Sequence, residues 1–165
     1  MKKLLIAVLT SLMLVGCGGG ETTEANNKKE AYVFEVNGTS IAVNQDFSEV
    51  SNALGDPQSK FTSPSCAFEG QDDNVYTYAS YQITTYTNSA DGKEYVYSII
   101  LKDDTVSTKE GISLGTVKDD VYTTYGEGYT ENSDTSVYWV ADNCNLEFIF
   151  EDDSVIQITY TAIIE

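Results

Sequence analysis

The sequence predicts an α+β domain in which two tandem units, each a short helix followed by three antiparallel strands, form one two-layer fold. Three observations carry that expectation. Runs rich in Tyr, Thr, Val and Ile alternate with Gly, Asn and Asp turn clusters, as strands and tight reversals do. Two short segments show apolar residues at helical spacing, each ended by a glycine. Finally, Ile112-Ser-Leu114-Gly115 with Asp119-Asp-Val121-Tyr-Thr-Thr-Tyr125-Gly126 mirrors Ile41-Ala-Val43-Asn44 with Ser48-Glu-Val50-Ser-Asn-Ala-Leu54-Gly55, every position offset by 71 residues.

The chain begins with Lys2-Lys3, an apolar run from Leu4 to Val15, and Gly16. This reads as an export signal, too short to span a bilayer, which needs about 20 apolar residues. Leu14-Val15-Gly16-Cys17 resembles the lipobox of bacterial lipoproteins. That resemblance implies removal of residues 1–16, diacylation of Cys17, and retention on the extracytoplasmic face of the membrane through the lipid. Residues 17–31 follow as the lipidated cysteine and a tether of Gly, Thr, Asn, Lys and Glu, and an extracytoplasmic domain is expected over 32–165. The 14 tether residues after Cys17 reach at most about 45–50 Å, so the domain stays near the membrane.

Tyr32-Val-Phe-Glu-Val36 and Thr39-Ser-Ile-Ala-Val43 flank Asn37-Gly38, the strongest short hairpin signal. Asp46 is placed to cap a helix over Phe47–Leu54, stopped by Gly55-Asp56-Pro57. Strands are expected over Ser65–Phe68, Val75–Thr87 and Glu94–Leu101, closing the first unit near residue 104. The second, over residues 105–165, repeats the helix and adds strands at Ser136–Val140, Asn145–Phe150 and Ser154–Ile163, with Asp152-Asp153 in the last turn.

The cleaved chain has seven Lys against 26 Asp and Glu, a formal charge of −19, with neither Arg nor His. Such a surface repels nucleic acid and anionic lipid. Lack of His removes Ser-His and Cys-His nucleophiles, and no lysine stands in a Ser-x-x-Lys frame. The signal and tether glycines do not form a phosphate loop, and Gly126-Glu-Gly128 follows a helix instead of opening one. The acidic pairs Asp72-Asp73, Asp103-Asp104 and Asp152-Asp153 sit at expected strand ends, where Asp favours turns. A carboxylate-dependent hydrolase would need two of these groups across a cleft. Calcium is the cofactor that Asp72, Asp73, Asp152 and Asp153 would suit, although neither turn has the 12-residue loop spacing. No other cofactor is expected. Cys66 and Cys144 remain as a pair once Cys17 is lipidated, and outside the cytoplasm an even pair reads as a disulfide; two buried free thiols are the alternative.

Twelve Tyr, six Phe and one Trp make the strands unusually aromatic. Alternation is expected to send Tyr76 and Tyr138 to the face opposite Tyr78 and Trp139, so that an open sheet face carries recognition residues for protein or sugar. The expected role is non-catalytic binding at the cell surface, with a protein partner favoured over carbohydrate.

Ser65-Cys-Ala-Phe-Glu-Gly70, Val75-Tyr-Thr-Tyr78, Ile83-Thr-Thr-Tyr86, Leu101-Lys-Asp-Asp104 and Thr108-Lys-Glu-Gly111 resemble a group of uncharacterised lipoproteins of gut Firmicutes, of Lachnospiraceae type. The resemblance covers most of the domain and brings no activity with it. The repeated helix with Val-x-x-x-(Leu or Tyr)-Gly before antiparallel strands is also similar to the beta-lactamase inhibitor protein fold and to small lipoproteins of outer-membrane assembly. Those resemblances imply a fold and a protein-binding role, with no contact residue to transfer.

Overall fold

A computed structural model of the chain describes residues 31–65 and 70–164. Cys17, with the signal and nearly all of the tether, lies outside the described residues, and so does Cys66. Of the described residues 49% are strand and only 12% helix. This corrects the expected α+β fold of two three-stranded units. The described residues are mostly β and form ten strands, two helices and one continuous eight-stranded antiparallel sheet beside a two-stranded hairpin.

The hairpin pairs β1 (Val33–Val36) with β2 (Thr39–Ala42) around Asn37 and Gly38, both at positive φ as a type I′ turn requires. Helix α1 (Phe47–Leu54) follows, capped by Asp46, whose carboxylate accepts from the Ser48 amide at 3.0 Å. The first meander comprises β3 (Ser59–Pro64), β4 (Asp72–Thr77), β5 (Tyr81–Thr87) and β6 (Glu94–Leu101). Then come α2 (Lys118–Tyr125), β7 (Thr130–Ser133), β8 (Ser136–Ala141), β9 (Cys144–Glu151) and β10 (Ser154–Ala162). The sheet order is β3-β4-β5-β6-β10-β9-β8-β7, so the last strands of the two halves meet at its centre.

The three-strand units fail for two physical reasons. Val75–Thr87 is two strands, reversing after Tyr78, where the Tyr78 amide donates to the Tyr81 carbonyl at 2.9 Å. Ala79-Ser80 carries no Gly, Pro or Asn, and the strong β propensity of Tyr and Thr on both sides hides the turn. The edge strands β3 (SKFTSP) and β7 (TENS) are polar and exposed, so they have no apolar alternation to betray them. Short, charged or Pro-bearing strands are also what keeps a sheet edge from pairing with another chain.

Within the sheet, the 71-residue offset has a structural counterpart. The Asn44 amide donates to Val96, and the Val96 amide to Gln45; in the second half Gly115 donates to Val155, and Val155 to Thr116. Each helix is thus entered from a segment pinned to the start of the central strand of its own half. Both central strands are irregular there, β6 opposite Thr84 and Thr85 and β10 between Val155 and Gln157. The irregularity lets Val96 and Ile99, or Val155 and Ile158, lie three apart and still share the buried face, while Ile156 is pushed outward to 48% exposure.

Core residues occupy one face of the sheet. Tyr76, Tyr81, Ile83, Ile99, Ile158, Tyr160, Leu146, Phe148 and Trp139 pack with Phe47 and Val50 of α1, Val121 and Tyr125 of α2, and Phe34 and Ile41 of the hairpin. Ring contacts bind these pieces together, among them Phe34 with Tyr81 at 5.1 Å and Tyr125 with Phe148 at 5.2 Å. Both helices and the hairpin therefore lie on the same side of the sheet. Among the described residues no helix is long and apolar enough to cross a membrane.

Candidate functional site

Two of the places that gather polar groups among the described residues bear on function. The first is a cavity of about 420 Å³ beside α1, lined by Asp46, Phe47, Ser48, Ser51, Tyr76, Lys93 and Glu94. Glu94 opens β6, and the neighbouring strands aim three donors at it. Asn74 Nδ2 reaches Oε1 at 3.1 Å, while Tyr76 and Thr85 hydroxyls reach Oε2 at 2.7 and 3.1 Å. Lys60 Nζ stands 3.9 Å from Oε1 and 4.9 Å from the centre of the Tyr76 ring. Burial first, and then the hydrogen bond to Glu94, push the Tyr76 phenol above its ordinary range. Lys93 donates to Asp46 at 2.8 Å, and that bond, with the Ser48 donors, holds the Asp46 carboxyl down to about 2.

A carboxylate pair of the glycosidase type needs one carboxyl kept protonated by a dry site. Asp46 is held ionised instead, and both Glu94 oxygens are engaged by neighbours. The cluster is suited to fastening β4, β5 and β6 to the edge of the helix layer.

The second place is the sheet face opposite the core. None of the described helices or the hairpin covers it. Following the strand register, one row crosses it as Phe61, Val75, Thr84, Ser98, Thr161, Asn145 and Val140. A second runs through Thr77, Gln82, Ile100, Thr159, Glu147 and Tyr138. Most of these side chains are half-buried, and short hydroxyl and amide groups predominate. Large apolar groups stand free at the two ends of the first row, Phe61 and Val140. Toward the β7 edge, Asn132, Tyr138, Asn145, Glu147 and Thr161 enclose about 300 Å³.

The structure redistributes the expected recognition residues. Tyr76 and Tyr78 lie on one face, as residues two apart along a strand direction do, and both are buried at 9% and 7% exposure. Trp139, at 1%, is in the core, its indole N–H donating to the Gly126 carbonyl at 3.1 Å. Only Tyr138 of the four reaches the open face, half-buried. These burials correct the expectation of an aromatic open face: the aromatics mainly build the core, and the open face is polar.

Asp152 and Asp153 form the β9–β10 turn at φ 48° and 60°, a conformation that short polar side chains tolerate. Asp72 and Asp73 begin β4, with Asp73 opposite Tyr86. No group of three or more potential metal ligands occurs among the described residues. Cys144 is a fully buried free thiol, and burial pushes it up to about 12. The expected bridge to Cys66 falls on a residue outside those described. Neither Glu94 nor Glu147 was singled out by sequence, because each is a lone glutamate in a strand without a motif.

No family model and no curated protein matches the chain. A crystal structure of an extracellular protein containing a SCP domain, from Bacillus anthracis str. Ames, is similar with a TM-score of 0.47 and 12% identity. The match covers 73% of this chain and 44% of that one, so the chain spans less than half of its neighbour's length.

Proposed function

We propose that this chain is a lipid-anchored surface protein with a non-catalytic role, and that it docks a protein partner on the open face of its eight-stranded sheet. The observation that carries the reading is the uncovered face itself: ordered rows of half-exposed hydrogen-bonding side chains, ended by exposed Phe61 and Val140, on a sheet whose other face carries the core, both described helices and the hairpin. Eight strands at about 4.8 Å spacing span roughly 34 Å, the width of a protein interface and wider than a small-molecule cleft. Polar rows with a few apolar anchors match the composition of non-obligate interfaces. The anchor at Cys17 rests on the lipobox resemblance, and the −19 charge would hold the domain off anionic headgroups.

The test places a photo-crosslinking residue at Thr84 or Tyr138 on the open face, and at Thr124 on the exposed side of α2, in intact cells. Discrete crosslinked products from the first two positions and none from Thr124 support the reading. Products from Thr124 alone, or equal products from all three, contradict it.

A further inference from the structure

The 300 Å³ pocket in the open face differs in kind from its surroundings. Glu147 holds two neighbours through one oxygen: Oε1 accepts from Ser136 Oγ at 2.5 Å and from Asn132 Nδ2 at 3.3 Å. Among the described residues Oε2 takes no hydrogen bond, and no lysine lies within ion-pair distance of Glu147. Glu147 is half-buried, and Oε2 keeps contact with solvent through the pocket, open to water or to a ligand. Asn145, across the register from Thr161, lines the same pocket, and its Oδ1 is sealed from water without a donor. The Tyr138 ring forms a wall, directly opposite Glu147 in the β8–β9 register.

We propose that Glu147, Asn145 and Tyr138 form a receptor for one arginine side chain of the docking partner; this rests on the open-face reading above. A carboxylate oxygen and the Thr161 hydroxyl are contributed from β9 and β10, beside an aromatic ring on β8, with Asn145 lining the pocket between them. A guanidinium brings several N–H donors in one plane and stacks on a ring, so it uses all of these at once, whereas an ammonium is a point charge. The carboxylate supplies the charge-assisted bond. The chain itself contains no arginine, so no segment of it or of a second copy can supply the group. With 26 acidic residues against nine lysines, the field of the domain attracts such a partner before contact.

The experiment titrates the isotope-labelled full chain with N-acetyl-arginine amide and reads amide shifts by NMR. The lysine analogue and the uncharged citrulline analogue serve as controls. Shifts should centre on Tyr138, Asn145, Glu147 and Thr161, with citrulline about tenfold weaker and lysine between the two. Glu147→Gln should weaken the arginine response about tenfold, and Tyr138→Leu should remove the preference for arginine over lysine. Asp104→Asn, which removes the same charge from an exposed turn, should leave the response unchanged. Equal losses in Glu147→Gln and Asp104→Asn, or shifts spread over the acidic surface, would overturn the pocket. Crosslinking from Thr84 and Tyr138 that persists in Glu147→Gln cells would then leave the docking face standing without it.

Discussion

Glu94 and Glu147 are both strand glutamates, yet their surroundings assign them opposite work. Glu94 lies at the rim of the core face, where Asn74, Tyr76 and Thr85 saturate both of its oxygens and Lys60 stands near. Glu147 lies toward the β7 edge of the open face, with one oxygen engaged and, among the described residues, no hydrogen bond to the other and no cation beside it. A carboxylate with both oxygens engaged by its own fold stabilises that fold. One left half-met, in a pocket facing solvent, is held ready for something brought from outside. The lesson is that acidic residues cannot be sorted by count or by pairing in sequence; what sorts them is whether their neighbours finish the hydrogen bonding.

The sharpest way to break that contrast is Glu94→Ala. It strands three donors, one of them on the fully buried Thr85, and should cost about 2–3 kcal/mol in denaturant unfolding. A cost below roughly 0.5 kcal/mol would mean that the cluster is decorative. Tyr76→Phe is a milder probe, since the ring keeps its contact with Phe47 at 4.2 Å and only the hydroxyl to Glu94 is lost. About 1–2 kcal/mol is expected from a bond to a charged acceptor.

Acid titration examines the neighbouring pair. Asp46 has a lowered folded pKa, so what it contributes is present above its unfolded value near 3.8 and is lost as pH falls toward about 2. In Asp46→Asn that portion of the acid slope should vanish, while stability at pH 7 drops slightly through the lost Lys93 bond. The smallest effect concerns Cys144. Buried and held up to about 12, it should resist a thiol reagent at pH 8 in the native chain and label promptly on unfolding without reductant. Failure to label in denaturant until reductant is added would instead show Cys144 oxidised, as a bridge to Cys66 requires.

Much of the fold was legible, and the gaps have causes. Helix α1 was read at its true limits because Asp46, Phe47, Val50 and Gly55 give cap, apolar face and stop within ten residues. Asn37-Gly38 gave the hairpin turn, and Asp152-Asp153 the last one. Hidden were the two polar edge strands and the reversal after Tyr78, and these omissions turned one eight-stranded sheet into two three-stranded units. The candidate site was less legible. Tyrosine reads equally as core or as surface, and only packing against α1 and α2 decides that Tyr76, Tyr78 and Trp139 go inside. Glu147 becomes visible only when β7, β8 and β10 are placed around it.

The most direct measurement is a pair of melting curves for Glu94→Gln and Glu147→Gln. At position 94 an amide keeps one acceptor oxygen where three donors converge on a charge, so the hydroxyls must turn to accept from its NH₂ and the charge-assisted bonds are lost; a loss of about 1–2 kcal/mol, some 3–8 °C, is expected. At position 147 the amide oxygen still accepts from Ser136 and Asn132, one negative charge is relieved, and the midpoint should move by less than about 2 °C. A Glu147→Gln midpoint depressed as far as that of Glu94→Gln would make both glutamates structural and contradict the account.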